Sequence, residues 1–210
     1  METIFKEVIM GILDGFFDSV LEKIGKIFEL AKEVIGEIVE KTAELAKEVA
    51  EDVGKAIETI GEYIGKTVEV ITEYAPVVIE GVGKVLDIAG LGLETLINGI
   101  YEIGKMAIDF VKEHPDEVIS IVSSFIGAVV SFASGNIPAG IYFLSSGILK
   151  SVKFYNEVLT EEQRANYDMP VEFTNLYERH NLKELSYNKI DEYVVINRCA
   201  PIMSDLNKLE

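Results

Sequence analysis

The chain has 210 residues and a formal net charge of −17, with 49% hydrophobic and 26% charged residues. This length can bury a sizeable core, and the hydrophobic share argues against intrinsic disorder. A strongly acidic chain gains nothing from releasing phosphate counterions, which argues against nucleic acid as a partner.

The first region, from about Phe5 to Ile71, repeats apolar residues at steps of three and four, while glutamates fill the opposite face. This period predicts amphipathic helix. Unbroken from Asp18 to Tyr74, such a helix would be about 85 Å long at 1.5 Å per residue. Either it is unbroken, or it folds back at Gly54 and the preceding residues 51–52.

Seven glycines of this region and the next are spaced close to whole numbers of helical turns. They are Gly25, Gly36, Gly54, Gly61, Gly65, Gly83 and Gly90. Because glycine costs up to about 1 kcal/mol inside a helix, we expect this glycine stripe to mark close approach by a neighbouring backbone.

A second helix is predicted from Val77 to about Lys112, ending before His114-Pro115 because the residue before proline disfavours helix. Its polar residues form one line on an otherwise apolar cylinder, with a gap at Leu91. They are Glu80, Lys84, Asp87, Glu94, Asn98, Glu102, Lys105, Asp109 and Lys112. A helix that is apolar on most sides is normally surrounded by other helices or by lipid.

The 32 residues from Val118 to Leu149 carry no charge. Residues 134–140, Ser-Gly-Asn-Ile-Pro-Ala-Gly, are typical of a turn. We therefore predict a helical hairpin with legs Val118–Ser134 and Ile137–Tyr155. The first leg is at the lower limit of what spans a bilayer.

Small residues recur at four-residue steps in the first leg, at Ser123, Gly127, Ser131 and Gly135. Such a ridge lets two helices approach closely. The aromatic residues Phe125, Phe132, Tyr142 and Phe143 complete the set that we expect to contact lipid or a packed helix, since aromatic rings also suit membrane interfaces.

After Val158 the sequence becomes polar and mixed. Thr160 and Gln163 have the spacing of a capping box at a helix start. Beyond Pro170, Val171–Phe173 lies in mixed sequence and residues 192–196 could form a short strand, so the region is predicted as a small α or α+β lobe or tail.

Residues with catalytic or metal-binding potential are few. The segment Gly61–Thr67 has three residues between its glycines where a phosphate-binding loop has four. Val111 and Tyr177 stand where glutamates of Glu-x-x-His metal pairs would be. We read His114 as a helix-end residue, His180 as solvated and Cys199 as a bystander thiol. We therefore expect no cofactor, no metal and no enzymatic activity.

The predicted fold is all-α: elongated amphipathic helices around an apolar helix and a hydrophobic hairpin, with a small polar C-terminal region. The predicted regions are residues 1–75, 76–158 and 159–210. Acidic residues at the N-terminus, where a signal peptide has basic ones, predict cytoplasmic synthesis without a signal peptide.

Two functions fit this fold. In the first, a membrane-active, pore-forming or toxin-like protein inserts its hairpin into lipid and self-associates as a homo-oligomer. In architecture alone this resembles α-helical pore-forming toxins of the colicin type. In the second, a soluble structural subunit, such as a phage particle component, buries the same hairpin in protein contacts. The seven serines of the charge-free run suit the second function.

Overall fold

The structure is a computed structural model that describes residues 33–195. The chain divides into two compact units, residues 1–37 and 38–210. The described residues of the first unit, 33–37, are helical. The predicted helix before residue 33, Gly25 and Cys199 lie outside the described residues. The predicted three-part division at residues 75 and 158 stays a prediction.

The second unit is helical throughout its described part, and the all-α prediction is confirmed there. Its helices are α1 (residues 38–51), α2 (Val53–Glu73), α3 (Ala75–Leu86), α4 (Leu93–Phe110), α5 (Pro115–Ala133), α6 (Ile137–Glu157), α7 (Glu161–Arg164), α8 (Val171–Thr174), α9 (Leu176–Arg179) and α10 (Tyr187–Tyr193), with a 3₁₀ helix at Leu182–Glu184.

The long amphipathic region breaks at Asp52, one of the residues at which a break was predicted. The Asp52 carboxylate accepts a hydrogen bond from the Gly54 N–H at 2.9 Å and so caps the start of α2. The Thr59 hydroxyl on α2 donates to the Glu48 carboxylate on α1 at 2.6 Å. This contact shows that α1 folds back along α2, so the described region is not one continuous helix.

The single helix predicted from Val77 to Lys112 is wrong, because α3 ends at Leu86 and α4 begins at Leu93. Asp87 takes a left-handed conformation with φ of 58°, and its N–H donates to the carbonyls of Gly83 and Lys84. Gly90, with φ of 69°, continues the turn. The gap in the polar line at Leu91 falls in this loop. The polar residues of that line are exposed, except for Glu102, which is half-buried.

The hairpin α5–α6 lies at the centre of the unit. Helices α2 and α4 pack on α5, whereas α3 and the C-terminal segments pack on α6. Apolar residues of α2 such as Ile60 and Ile71 face this core, and Glu58, Glu62 and Glu69 face solvent. The predicted arrangement of amphipathic helices around an apolar centre is confirmed.

The glycine stripe does not mark close helix packing. A methyl group added at Gly61 or Gly65 would meet nothing within 4 Å, and one at Gly54 would meet only the Asp52 carboxylate. At Gly83 the added methyl group would lie 3.1 Å from the Ile88 carbonyl of the adjoining loop, and the close approaches by side chains of other helices occur at glycines outside the stripe: Gly81, Gly99, Gly104, Gly127, Gly140 and Gly147. The described stripe glycines therefore lie on several elements and are exposed or half-buried, so their spacing does not mark a helix contact.

Residues 159–195 form what we call the C-terminal lobe, which is helical. The capping box is confirmed, because the Thr160 hydroxyl and the Gln163 amide oxygen each accept the other residue's N–H. Val171–Phe173 lies in α8 and residues 192–193 lie in α10, so the predicted strand is wrong up to residue 195. Ile196 lies outside the described residues.

Candidate functional site: the hairpin and its polar contacts

The hairpin tip is a tight, uncharged turn. Helix α5 ends at Ala133, Gly135 takes φ of 77°, and the Asn136 side chain accepts a hydrogen bond from the Ala139 N–H at 3.2 Å. Residues 133–135 are exposed and 136–139 are half-buried. The nearest charged residue of α6 is Lys150, about 20 Å along the helix from Ile137 at 1.5 Å per residue. The tip is therefore an accessible surface without charge.

The two legs pack through phenylalanine rings seated on glycines of the other leg. A methyl group added at Gly140 would lie 2.7 Å from the Phe132 ring, and one at Gly147 would lie 3.1 Å from the Phe125 ring. Phe132 and Gly140 are each 4 residues from Asn136, and Phe125 and Gly147 are each 11 residues from it. Both pairs therefore belong to one antiparallel register centred on the turn.

The residues of the predicted small-residue ridge contact more than one helix. Ser123 accepts a hydrogen bond from the Thr42 hydroxyl of α1 at 2.9 Å, while Gly127 lies against Phe143 of α6 and Ile38 of α1. Ser131 is fully buried, and Gly135 belongs to the turn.

The predicted aromatic residues divide between the core and its border. Phe125 and Phe132 are fully buried. Tyr142 and Phe143 are half-buried, with ring centroids 4.7 Å apart. The sequence predicted close packing only for the small residues of the first leg. It did not predict the contacts of Gly140 and Gly147 in the second leg. Their signal is the seven-residue spacing that they share with Phe125 and Phe132.

A buried lysine joins the hairpin to the C-terminal lobe. The Lys150 side chain is 5% exposed, and its ammonium lies 2.8 Å from the Asp191 carboxylate of α10. The same ammonium donates to the Ser124 hydroxyl of α5 at 3.1 Å, and the Ser146 hydroxyl of α6 donates to Asp191. Both legs and the lobe thus meet at one ion pair, which sequence analysis missed because its members lie 41 residues apart in the sequence.

A second buried lysine, Lys153, also joins α6 to the lobe, one turn later. Its ammonium lies 2.6 Å from the Glu157 carboxylate and donates to the Leu182 carbonyl of the lobe at 3.1 Å. The Tyr177 hydroxyl of the lobe also donates to Glu157, at 2.9 Å. Burial, with help from this hydrogen bond, raises the pKa of Tyr177 to about 12. The hydroxyl therefore remains a donor at physiological pH.

The Ser124–Lys150 contact has the composition of a Ser–Lys nucleophile pair, but its surroundings fit packing. A lysine in an ion pair with a carboxylate is not available as a base. The near-complete burial of Lys150 also leaves a substrate no approach through the described residues. The geometry fits a buried ion pair between helices.

His180 is buried, and its prediction as a solvated residue is wrong. Its Nε2 lies 2.9 Å from the Leu86 carbonyl at the end of α3, and its Nδ1 lies 2.8 Å from the Tyr193 hydroxyl. Because a carbonyl only accepts, Nε2 carries the hydrogen. His180 thereby ties the lobe to α3. By contrast, His114 lies at a helix end as predicted: its backbone N–H donates to the Phe110 carbonyl at the end of α4 at 2.8 Å, and α5 begins at the next residue. Its ring contacts those of Phe110 and Phe154.

Among the described residues, one helix has the length and composition to cross a membrane. It is α5, with a mean hydropathy of 1.6. Because 56% of its most apolar stretch is buried, and buried core helices of soluble proteins share this composition, the helix alone is weak evidence for a membrane span. Comparisons with protein families, curated proteins and solved structures found no match to this chain.

Replacing Ser131 by alanine is expected to raise the free energy of unfolding by about 1 kcal/mol. Its buried hydroxyl has no hydrogen-bond partner among the described residues, and alanine favours helix. Urea unfolding followed by circular dichroism measures the change. Ser151→Ala is the matched control, because the Ser151 hydroxyl donates to the Gly147 carbonyl at 2.7 Å. Equal effects of the two substitutions would contradict the expectation.

Proposed function

We propose that this is a non-enzymatic, membrane-active helical protein whose hairpin inserts tip first into a lipid bilayer. The observation that carries the proposal is the exposed, uncharged tip at the end of two long apolar legs. Entry of this tip brings about 20 Å of α6 into the bilayer before a charged residue must follow. The backbone groups of both legs are already paired within helices, as insertion requires.

The acidic helices α1 and α2 cover the hairpin in the water-soluble form, and their exposed carboxylates repel anionic lipid. Acid lowers this repulsion, and the pH at an anionic surface is below that of the bulk. Glu62 and Glu80 contribute little to the response, because hydrogen bonds from Lys66 and Lys84 lower the pKa values of these carboxyls.

The function implies partners and a location. The partner is the bilayer, and inserted hairpins self-associate into a homo-oligomer through small residues such as Gly127. The protein is cytoplasmic as synthesised and then associates with membranes.

Dye leakage from vesicles containing phosphatidylglycerol tests the proposal. We expect faster leakage at pH 5 than at pH 7, because neutralised carboxylates no longer repel the anionic surface. Ala133→Lys adds a charge at the exposed end of α5 and is expected to slow leakage at pH 5 at least tenfold, because a lysine inside a bilayer costs about 2.5–3.5 kcal/mol.

Ala165→Lys is the matched control, because Ala165 is exposed in the C-terminal lobe and the substitution adds the same charge. Both variants gain the same attraction to anionic lipid, so a slower rate confined to Ala133→Lys reports insertion of the tip. Equal and negligible leakage at both pH values would overturn the proposal.

The second candidate function is that of a soluble structural subunit. It is favoured by the hairpin's polar contacts with its surroundings, such as Thr42–Ser123 and Ser146–Asp191, which suit permanent burial in protein. This function predicts a defined oligomer by light scattering and no sedimentation with vesicles at pH 5 or pH 7.

A further inference from the structure

The C-terminal lobe is built from segments that are too short to be stable alone. Helices α7, α8 and α9 have four residues each, and α10 has seven. Isolated helices shorter than about 12 residues are marginal in water. The lobe's order therefore depends on the surface to which it docks, which makes it a candidate for opening before the rest of the unit.

That surface includes the second leg of the hairpin. Segments α8, α9, α10 and the 3₁₀ helix all contact α6. Buried apolar residues of the lobe, among them Leu182 and Ile190, belong to the same core as the buried residues of the hairpin. While the lobe is docked, α6 is not free to meet lipid on this side.

One residue of the lobe makes the polar contact that reaches both legs of the hairpin. Asp191 accepts from the Ser146 hydroxyl and pairs with Lys150, whose ammonium also contacts Ser124 of the first leg. Other polar contacts of the lobe reach one helix each: Leu182 and Tyr177 bind α6, His180 binds the Leu86 carbonyl of α3, and Tyr167 binds Asp109 of α4 at 2.7 Å. Asp191 is thus a charged contact that links the lobe to both legs.

The lobe cannot follow α6 into a bilayer. Residues 159–195 contain eight aspartates and glutamates against four lysines and arginines. Charged side chains are expensive inside lipid. Insertion of the second leg therefore requires that α6 and the lobe separate.

We propose that the C-terminal lobe is an autoinhibitory cover of the hairpin, and that the Asp191–Lys150 ion pair holds it closed. The inference rests on the proposed membrane function and gives a role to a part of the chain that this function leaves unused. Separation breaks the contacts at Asp191 and frees α6 along the side that the lobe covers.

Hydrogen–deuterium exchange without lipid, combined with dye leakage, tests the cover. Asp191→Asn removes the ion pair. Glu192→Gln, at the neighbouring exposed position, removes one negative charge without removing that pair. We expect amides of residues 187–193 to exchange at least about tenfold faster in Asp191→Asn, because a buried charge that loses its partner strongly destabilises the docked form. Leakage at pH 7 should rise in parallel, and Glu192→Gln should change neither.

Two further variants keep the test decisive. If Asp191→Asn loses helix content by circular dichroism, Ser146→Ala removes one hydrogen bond to Asp191 and is the milder substitute. Lys150→Met combined with Asp191→Leu replaces the ion pair by apolar contact, which is often neutral or stabilising. This double variant should restore slow exchange and bring leakage to or below the unmodified rate.

The outcomes separate the two proposals. Faster exchange with faster leakage in Asp191→Asn alone supports the cover. Unchanged exchange, or faster exchange without faster leakage from a protein that does leak, overturns the cover and leaves the membrane function standing. Absence of leakage from every variant at every pH overturns the membrane function, and with it the inhibitory role.

Discussion

Truncating Phe132 to alanine is expected to lower the free energy of unfolding by about 4 kcal/mol, because removing a buried aromatic ring loses its burial energy and leaves a cavity. The side chain is fully buried. Its ring stacks on Tyr74 at 5.6 Å between centroids, with 20° between the ring planes, and its other neighbours include Gly140. Alanine leaves a cavity that these neighbours cannot fill. Urea unfolding followed by circular dichroism measures the loss.

Phe143→Ala is the control for Phe132→Ala. Phe143 is half-buried at the border of the same hairpin, so part of its surface already meets solvent in the folded state. We expect less than half the loss, because the energy scales with the apolar area removed from water. Equal losses at the two positions would contradict the assignment of Phe132 to the hairpin core.

Adding one methyl group at Gly140 is expected to lower the free energy of unfolding by about 2 kcal/mol, within the range for overpacked cores. The new carbon would lie 2.7 Å from the Phe132 ring. Because Tyr74 stacks on the Phe132 ring, the Phe132 ring cannot easily move away from the added methyl group. Gly61→Ala is the matched control: nothing lies within 4 Å of the added methyl group, and we expect a gain of up to about 1 kcal/mol.

A double variant tests whether the two effects have a common origin. In the Phe132→Ala background the space beside Gly140 is empty, so Gly140→Ala should no longer destabilise. Contacting residues give non-additive effects of this kind, whereas distant ones add. If Gly140→Ala costs the same with and without the Phe132 ring, the close approach is not the cause.

These contacts also bear on how the hairpin could move. Phe132 on Gly140 and Phe125 on Gly147 join the two legs to each other. Translation of the hairpin as a unit leaves both pairs intact. The same movement breaks contacts to the surroundings, such as Thr42–Ser123 and Asp191–Lys150. The legs can therefore stay paired while the surrounding helices separate from them.

The sequence predicted those turns and helix caps that are formed by residues close together in the chain. The turn at residues 134–140 needs a glycine with positive φ and an amide cap, and Gly135 and Asn136 supply them. Thr160 and Gln163 cap a helix over three residues, a distance that sequence spacing resolves. The loop between α3 and α4 was missed because the apolar pattern continues across it, and because Gly90, which turns the chain together with Asp87, also fits the helical spacing of the glycine stripe.

The partners of the candidate site could not be predicted in this way. Lys150 directly follows the charge-free run, and nothing in the sequence indicates that it is buried in an ion pair with Asp191. His180 lies in a charged stretch, Glu178-Arg179-His180, and is buried against Leu86, which is 94 residues away. Residues far apart in sequence leave no periodic signal when they meet.

The amino-acid sequence by itself determined that this protein is helical, that residues 118–149 form an uncharged hairpin, and that acidic faces point to water, because period and composition act over a few residues. Only the tertiary structure decided which glycines receive a phenylalanine ring, where α1 folds back on α2, and that the C-terminal lobe covers α6. These features depend on side chains meeting across the fold, where shape and charge must match between segments that are distant in the chain.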